Sequence, residues 1–419
     1  MGTEGGRADG RTGGPEARCV IAAIMLLVGC GGGGTPAGPT LPVVPGATPS
    51  LLAVAGGGNN VRERYSSDLW LHGDFAYTGT WGGQARTLDN ASARGNAIKV
   101  WRLDAEGRPV LADSVLVGTV ASVGDVEVTG DGAWLVAATE NGADAGLLVY
   151  ALADPARPVL AGRFPTAPQG FHTATTARIN GRWYAFAARN PATGADPALV
   201  ILDITNPAAI TVASTITVPR TYGIHDTFVR DGLAFLCNWN AGLQILDVGN
   251  GLRGGSPSSP AQVSTTGLTA GVLSGPSIHN AWWFHNPVTS ERRYLFAGQE
   301  GPGTIGVSSS GELKVLDVGD LANPREVAFF RLPGAGVHNV WMDEPRQILY
   351  AAFYNGGVVA LDVSGTLSGD LSGRVLSVTR PGGDGNTYVW GVMLHRGSLY
   401  VIDFLSGLWQ MARSGALLR

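Results

Sequence analysis

Four histidines, His172, His225, His279 and His338, recur at intervals of roughly 50 residues, each at the head of a short apolar segment. Neutral imidazole is the commonest nitrogen ligand of metals, and a set converging on one point would hold a divalent transition metal (Fe, Mn, Cu or Zn), with Zn–N bonds of about 2.0–2.1 Å. Three of the four are followed by a short polar residue, Asp226, Asn280 or Asn339. The pairs therefore read equally as hydrogen-bonding devices copied with a repeat, each tying a strand to the loop beside it. Both readings stand on the sequence alone. A second polar set closes the segment that follows in each copy: Thr80, Thr139, Arg189, Asn238, Gln299 with Glu300, and Asp403. His72, His285 and His395 fall at turns on the opposite ends of their segments and are left out of the site.

The elements that must position these residues are short strands. The stretch 223–248, GIHDTFVRDGLAFLCNWNAGLQILDV, reads as three of them, divided by a turn at Asp231-Gly232 and another at Asn240-Ala241-Gly242. A fourth follows at 261–268. Copies align through almost the whole chain, with Ser67, Asp125, His172, His225, His279, His338 and Trp390 at one position. A four-stranded unit of this period is a propeller blade. The last copy has three strands before the chain ends, whereas 50–56, SLLAVAG, stands ahead of the first copy with no unit to join. Pairing the two would hide two sheet edges. The expected fold is all-β: a seven-bladed β-propeller closed by an N-terminal strand joining the last blade. Trp70, Phe228, Trp282, Trp341 and Met393 form an aligned stripe, expected to fill the wedges between blades.

The third strands, LVILDITNP at 199–207, LQILDV, LKVLDVGDLANP and VVALDV, resemble the LVIVD-repeat family of bacterial and archaeal surface propellers. That resemblance spans about 50–419 and implies the propeller fold. It carries over no activity, because the family has no general one and propellers host binding and catalysis alike.

In a propeller the start of the innermost strand and the end of the second meet at one mouth of the central channel. The expected ligand-binding rim is therefore Arg189, Asp226, Asn238, Asn280, Gln299, Glu300, Asn339, Trp390 and Asp403, with His172, His225, His279 and His338 as candidate metal ligands. Loops 82–96, 190–198 and 301–311 are the longest there, which suits a built-up binding face.

Residues 1–29 read as a signal peptide: Arg18 precedes an apolar run of about ten residues, too short for a membrane span. It ends Leu27-Val28-Gly29-Cys30, which resembles a bacterial lipobox with Cys30 as the lipidated residue. Residues 30–49 are a Gly/Pro-rich tether, and 50–419 the propeller. Of three cysteines only Cys237 then lies in the folded domain, so no internal disulfide forms.

With 29 Lys and Arg against 33 Asp and Glu, and no basic run along any strand, nucleic acid is excluded as the expected partner. No GxSxG elbow, P-loop or CxxC pair is present. The expected protein is an exported, monomeric lipoprotein whose rim binds an envelope protein, peptide or glycan. The alternatives are a metal-dependent lyase or oxidoreductase using the histidines, and a purely structural envelope protein.

Overall fold

The computed structural model describes residues 52–61, 64–82, 92–191 and 194–418. The expected signal peptide, Cys30 and tether lie outside the described residues, as do parts of loops 82–96 and 190–198. Among the described residues the chain is all-β, with helix confined to single 3-10 turns such as Pro207–Ala209. No described helix is long and apolar enough to cross a membrane.

The unit read at 223–248 is built as its sequence demands. Thr227–Arg230, Leu233–Cys237, Leu243–Asp247 and Ala261–Thr266 pair antiparallel in chain order. Asp231 and Gly232 both have positive φ, 51° and 72°, which is the two-residue turn that matches the twist of a hairpin. A Cβ on Gly232 would lie 2.4 Å from the backbone nitrogen of Asn250, so only glycine fits. Asn180-Gly181 and Arg396-Gly397 make the same turn in other units.

The recurrent Asp of the third strand has a structural task. Asp203, Asp317 and Asp362 each accept a hydrogen bond on Oδ1 from the backbone N–H two residues on, at 3.0, 3.0 and 2.9 Å, which turns the chain toward the outer strand. Asp247 does more. Burial raises its carboxyl, but N–H groups of Arg253, Gly249, Gly255 and Gly251 outweigh that and hold it down at about 2.

Units stack face to face, and period-2 alternation decides which side chain meets which neighbour. Ala234 and Leu236 pack on Phe186 and Ile201 of the preceding unit; Phe235 and Cys237 pack on Trp283 and Leu295 of the following one. The second strand is buried along its whole length because both its faces are covered. Outer strands such as Thr211–Thr217 keep one face in water and are rich in Thr. The innermost strands are Tyr65–His72, Ser122–Val128, Thr173–Ile179, Thr227–Arg230, Ile278–Trp283, Val340–Asp343 and Val389–His395, and each neighbours the next. Val389–His395 also neighbours Tyr65–His72, and Leu52–Gly57 pairs antiparallel with Gly407–Arg413.

Candidate functional site

The innermost strands do not run straight into the channel mouth. Their pairing slips between Ser66 and Leu69, Val123 and Asp125, Ile278 and Asn280, and Val389 and Gly391. Such bulges insert a residue and re-aim its side chain. Here the inserted positions include Gly124, His279 and Trp390. Side chains alternate along a regular strand, yet His225 and Asp226 both line one axial chamber of about 270 Å³.

The bulges also correct the alignment by one residue. Asp68 Oδ2 accepts from Val126 N at 3.3 Å, and Asp125 Oδ2 accepts from Ala174 N at 2.7 Å. Asp68 and Asp125 are thus equivalent to each other and to Asp226, and Gly124 holds the place of His172 in its unit.

At the mouth the four histidines form an arc. Successive ring centroids are 4.3 Å apart for His172 and His225, 3.8 Å for His225 and His279, and 3.9 Å for His279 and His338. Trp390 continues it, stacked on His338 at 5.2 Å, and Trp81 sits between Trp390 and His172. His172 Nε2 lies 2.8 Å from His225 Nε2. Glu300 Oε2 is 3.9 Å from Nε2 of both His225 and His279, and these three residues present ligand atoms all within 4.8 Å of one another.

Beneath the arc is a polar ring of Asp68, Asp125, Asp226, Asn280 and Asn339, and beneath that the aromatic stripe. Trp282 lies 5.1 Å from Trp341 and 5.2 Å from Phe228. The stripe, expected to fill wedges between blades, packs against the apolar clusters between units, and Trp70, Phe228, Trp282, Trp341 and Met393 also face the chamber as its apolar lower wall.

The acids of this ring are held toward their neutral forms. Burial pushes Asp68 well above the carboxylate range, and the adjacent, hydrogen-bonded Asp125 pushes it further. Burial likewise raises Asp226 to about 7 and Glu127 to about 8, each with Asp125 adding repulsion. Glu127 is anchored by Thr176, whose hydroxyl donates to Oε1 at 2.6 Å. A raised carboxyl keeps its proton in the folded state after the unfolded chain has lost it. From about pH 4.5 to 8 the native state then binds more protons, and stability falls as pH rises. Replacing Glu127 with Gln is therefore expected to flatten that decline and raise Tm at pH 8, with little change at pH 4.5. Scanning calorimetry across this range checks it, and a parallel decline in both proteins would refute the assignment.

The remaining rim residues divide. Glu300, Trp390, Asp226, Asn280 and Asn339 line the chamber. Asp403 does not: it accepts from the backbone of Tyr388, Leu405 and Ser406 at 2.6, 2.9 and 2.8 Å and secures a turn. Gln299 donates to Ala270 and Gly275 carbonyls and pins a loop, while Asn238 donates to Gln244 at 3.2 Å. Arg189 is not part of the chamber lining. Asp403, Gln299 and Asn238 bond within their own units, while residues just beyond reach the mouth. Trp81 and Glu300 line the chamber, Glu140 and Trp239 line a smaller cleft with His172 and His225, and the Tyr354 hydroxyl reaches Glu300; of these only Glu300 had been singled out. Their backbones lace neighbouring units, with Trp239 bridging Ile278 and Tyr354 bridging Val389. The sequence carried a usable signal, since an aromatic or acid follows the strand in most copies.

Fold and site together define a β-propeller with an axial chamber walled by its innermost strands. The chain is a β-propeller, and its residues 63–84 and 194–218 match the family model described as "LVIVD repeat". Among solved structures it is similar to the Cps50 (Swd1) beta-propeller domain of Myceliophteria thermophila, with a TM-score of 0.56 and 13% identity. That alignment covers 87% of this chain and 100% of the other. No curated protein matches.

Proposed function

We propose that the protein is a binding propeller that receives one end of its ligand in the axial chamber. The observation that carries this reading is the chamber's composition: acceptors above, flat aromatic faces below, in about 270 Å³. Oδ1 of Asn280 is buried there without a hydrogen-bond partner among the described residues, and its amide donates to Asn339 Oδ1 at 3.2 Å. A buried acceptor of this kind costs about 1–3 kcal/mol unless a donor reaches it. The ligand end that fits presents N–H or hydroxyl donors and a flat apolar face: a peptide side chain or a sugar unit of an envelope partner. The comparisons do not support the lyase or oxidoreductase alternative.

The same proposal includes a monomeric ring of seven blades, closed by the strand 52–57, and display from a membrane through lipidated Cys30 and the tether 30–49. The succession of innermost strands and the pairing of 52–57 with the last unit support the ring. The lipobox-like sequence supports the anchor. Tryptophan fluorescence titration with peptidoglycan fragments and envelope-protein peptides tests the binding, since three of the chamber's walls are Trp70, Trp282 and Trp341. Binding that weakens at least tenfold in Trp282→Leu and Asn339→Ala is expected. Ligands whose affinity ignores both changes would remove the chamber from the reading. Mass spectrometry of the membrane fraction tests the anchor, which fails if Cys30 carries no acyl chain or if Cys30→Ser leaves the protein on the membrane.

A further inference from the structure

We infer that the chamber mouth binds a divalent first-row transition metal, held by Nε2 of His225 and His279 and by Oε2 of Glu300. The inference deepens the chamber reading by naming what sits at its entrance, and its test separates the two.

The donor positions suit one ion. Ligands around a four-coordinate metal at about 2.1 Å lie about 3.4 Å apart. Both Glu300 separations are 3.9 Å, and the His225, His279 and Glu300 ligand atoms lie within 4.8 Å of one another. Small side-chain rotations close the difference. Two successive units supply this convergence, with the bulge at His279 turning that ring to the axis.

The groups behind the ligands are in place as well. Residues around a metal orient its ligands by hydrogen bonds. His172 flanks the site, its Nδ1 3.0 Å from Glu140 Oε2 and its Nε2 2.8 Å from His225 Nε2. The Tyr354 hydroxyl donates to Oε1 of Glu300, which leaves Oε2 as the oxygen directed at His225 and His279. His338 donates from Nδ1 to Trp390 O at 2.7 Å and stacks on that indole, and so walls the site beside His279.

Two imidazoles and one carboxylate select the metal class and leave a fourth position open. Calcium and magnesium take oxygen-rich cages, whereas imidazole suits Fe, Cu and Zn. The chamber lies directly below, so a ligand entering it meets the ion's remaining coordination positions.

The competing arrangement uses the same distances without metal: Glu140, His172 and His225 as a hydrogen-bonded chain, with one N–H between the two imidazoles. Untagged full-length protein, stripped with chelator and offered Fe²⁺, Mn²⁺, Cu²⁺, Zn²⁺ or Co²⁺ one at a time, separates them. The expected result is one ion per chain by elemental analysis, and a Co²⁺ visible spectrum of four- or five-coordinate intensity. His279→Ala and Glu300→Gln should lower affinity at least a hundredfold, and Tyr354→Phe about tenfold to a hundredfold. His225→Gln gives the same test should His279→Ala fail to fold, with circular dichroism as the control. A folded wild type that takes up no ion at micromolar concentration overturns the inference, as does uptake unchanged in His225→Gln and Glu300→Gln. Chamber ligands that still bind stripped protein would leave the binding propeller standing while the metal falls. Stoichiometric metal with no chamber ligand would do the reverse.

Discussion

Removing residues 52–57 is expected to abolish cooperative unfolding and make the protein aggregate. Leu52, Ala53 and Val54 pair with Arg413, Ala412 and Met411, and after a bulge Gly56 and Gly57 pair with Gln410 and Trp409. Leu52 is fully buried in a cluster with Met411, Val358 and Val401, and its carbonyl accepts from Thr379 Oγ1 at 3.0 Å. The pairing is followed by a clasp. Asn60 donates to Phe404 O at 2.9 Å and accepts from Lys99 Nζ at 2.8 Å, joining the last unit to the first. Five strand pairs at about 0.5–1 kcal/mol net each, with about 2 kcal/mol for the leucine, give a loss of about 5 kcal/mol. That is of the order of a domain's whole net stability. The deletion also bares the N–H and C=O groups of Gly407–Arg413, a ready template for pairing between molecules. Size-exclusion chromatography with thermal unfolding reads both effects. A truncated chain that stays monomeric at unchanged Tm would count against ring closure by this strand.

Much of the fold could be read because it rests on local rules. The Asp231-Gly232 turn needs positive φ at both residues, which few dipeptides supply, and the LD ending of the third strand encodes its own turn through the Asp carboxylate. The histidines could be found because each opens an innermost strand. What escaped depends on single-residue irregularities that leave no trace in composition. A bulge at Gly124 moved Asp125 from the histidine arc to the ring below it. The rim was misplaced by one residue for a related reason. The second strand was taken to end at its last paired position, where Asn238, Gln299 and Asp403 look back into their own turns. Just past Gln299, Glu300 lines the chamber, and the Tyr354 hydroxyl reaches it. Glu140 takes its role from its 3.0 Å approach to His172 Nδ1.

Replacing Arg413 with Met is expected to cost about 3–5 kcal/mol, more than any other single side-chain change away from the chamber. Its guanidinium lies 2.6 Å from Asp343 Oδ2, and both side chains are only 2% exposed. The pair ties the last strand of the final unit to the innermost strand of the unit before it, Val340–Asp343. Arg413 also donates to the carbonyls of Gly397 at 2.9 Å and Leu417 at 3.3 Å, so its donors are satisfied in several directions. Loss of the guanidinium leaves a buried carboxylate whose other cation, Arg346, is 3.4 Å away and itself 35% exposed. Stranding a charge in this way costs far more than the pair contributes over an apolar substitute, because two matched apolar side chains need no solvation. The double change Arg413→Met with Asp343→Leu is therefore expected to recover stability relative to Arg413→Met alone. It should remain below wild type, since the Gly397 and Leu417 carbonyls lose their donor. Burial shields the pair from salt, so the loss should be nearly the same at about 0.05 and about 0.5 M NaCl, although the screening length falls about threefold between them. Urea unfolding at matched m-values measures all three proteins. A cost under about 1 kcal/mol for Arg413→Met, or a double variant as unstable as the sum of the single changes, would show that the pair does not hold these two units together.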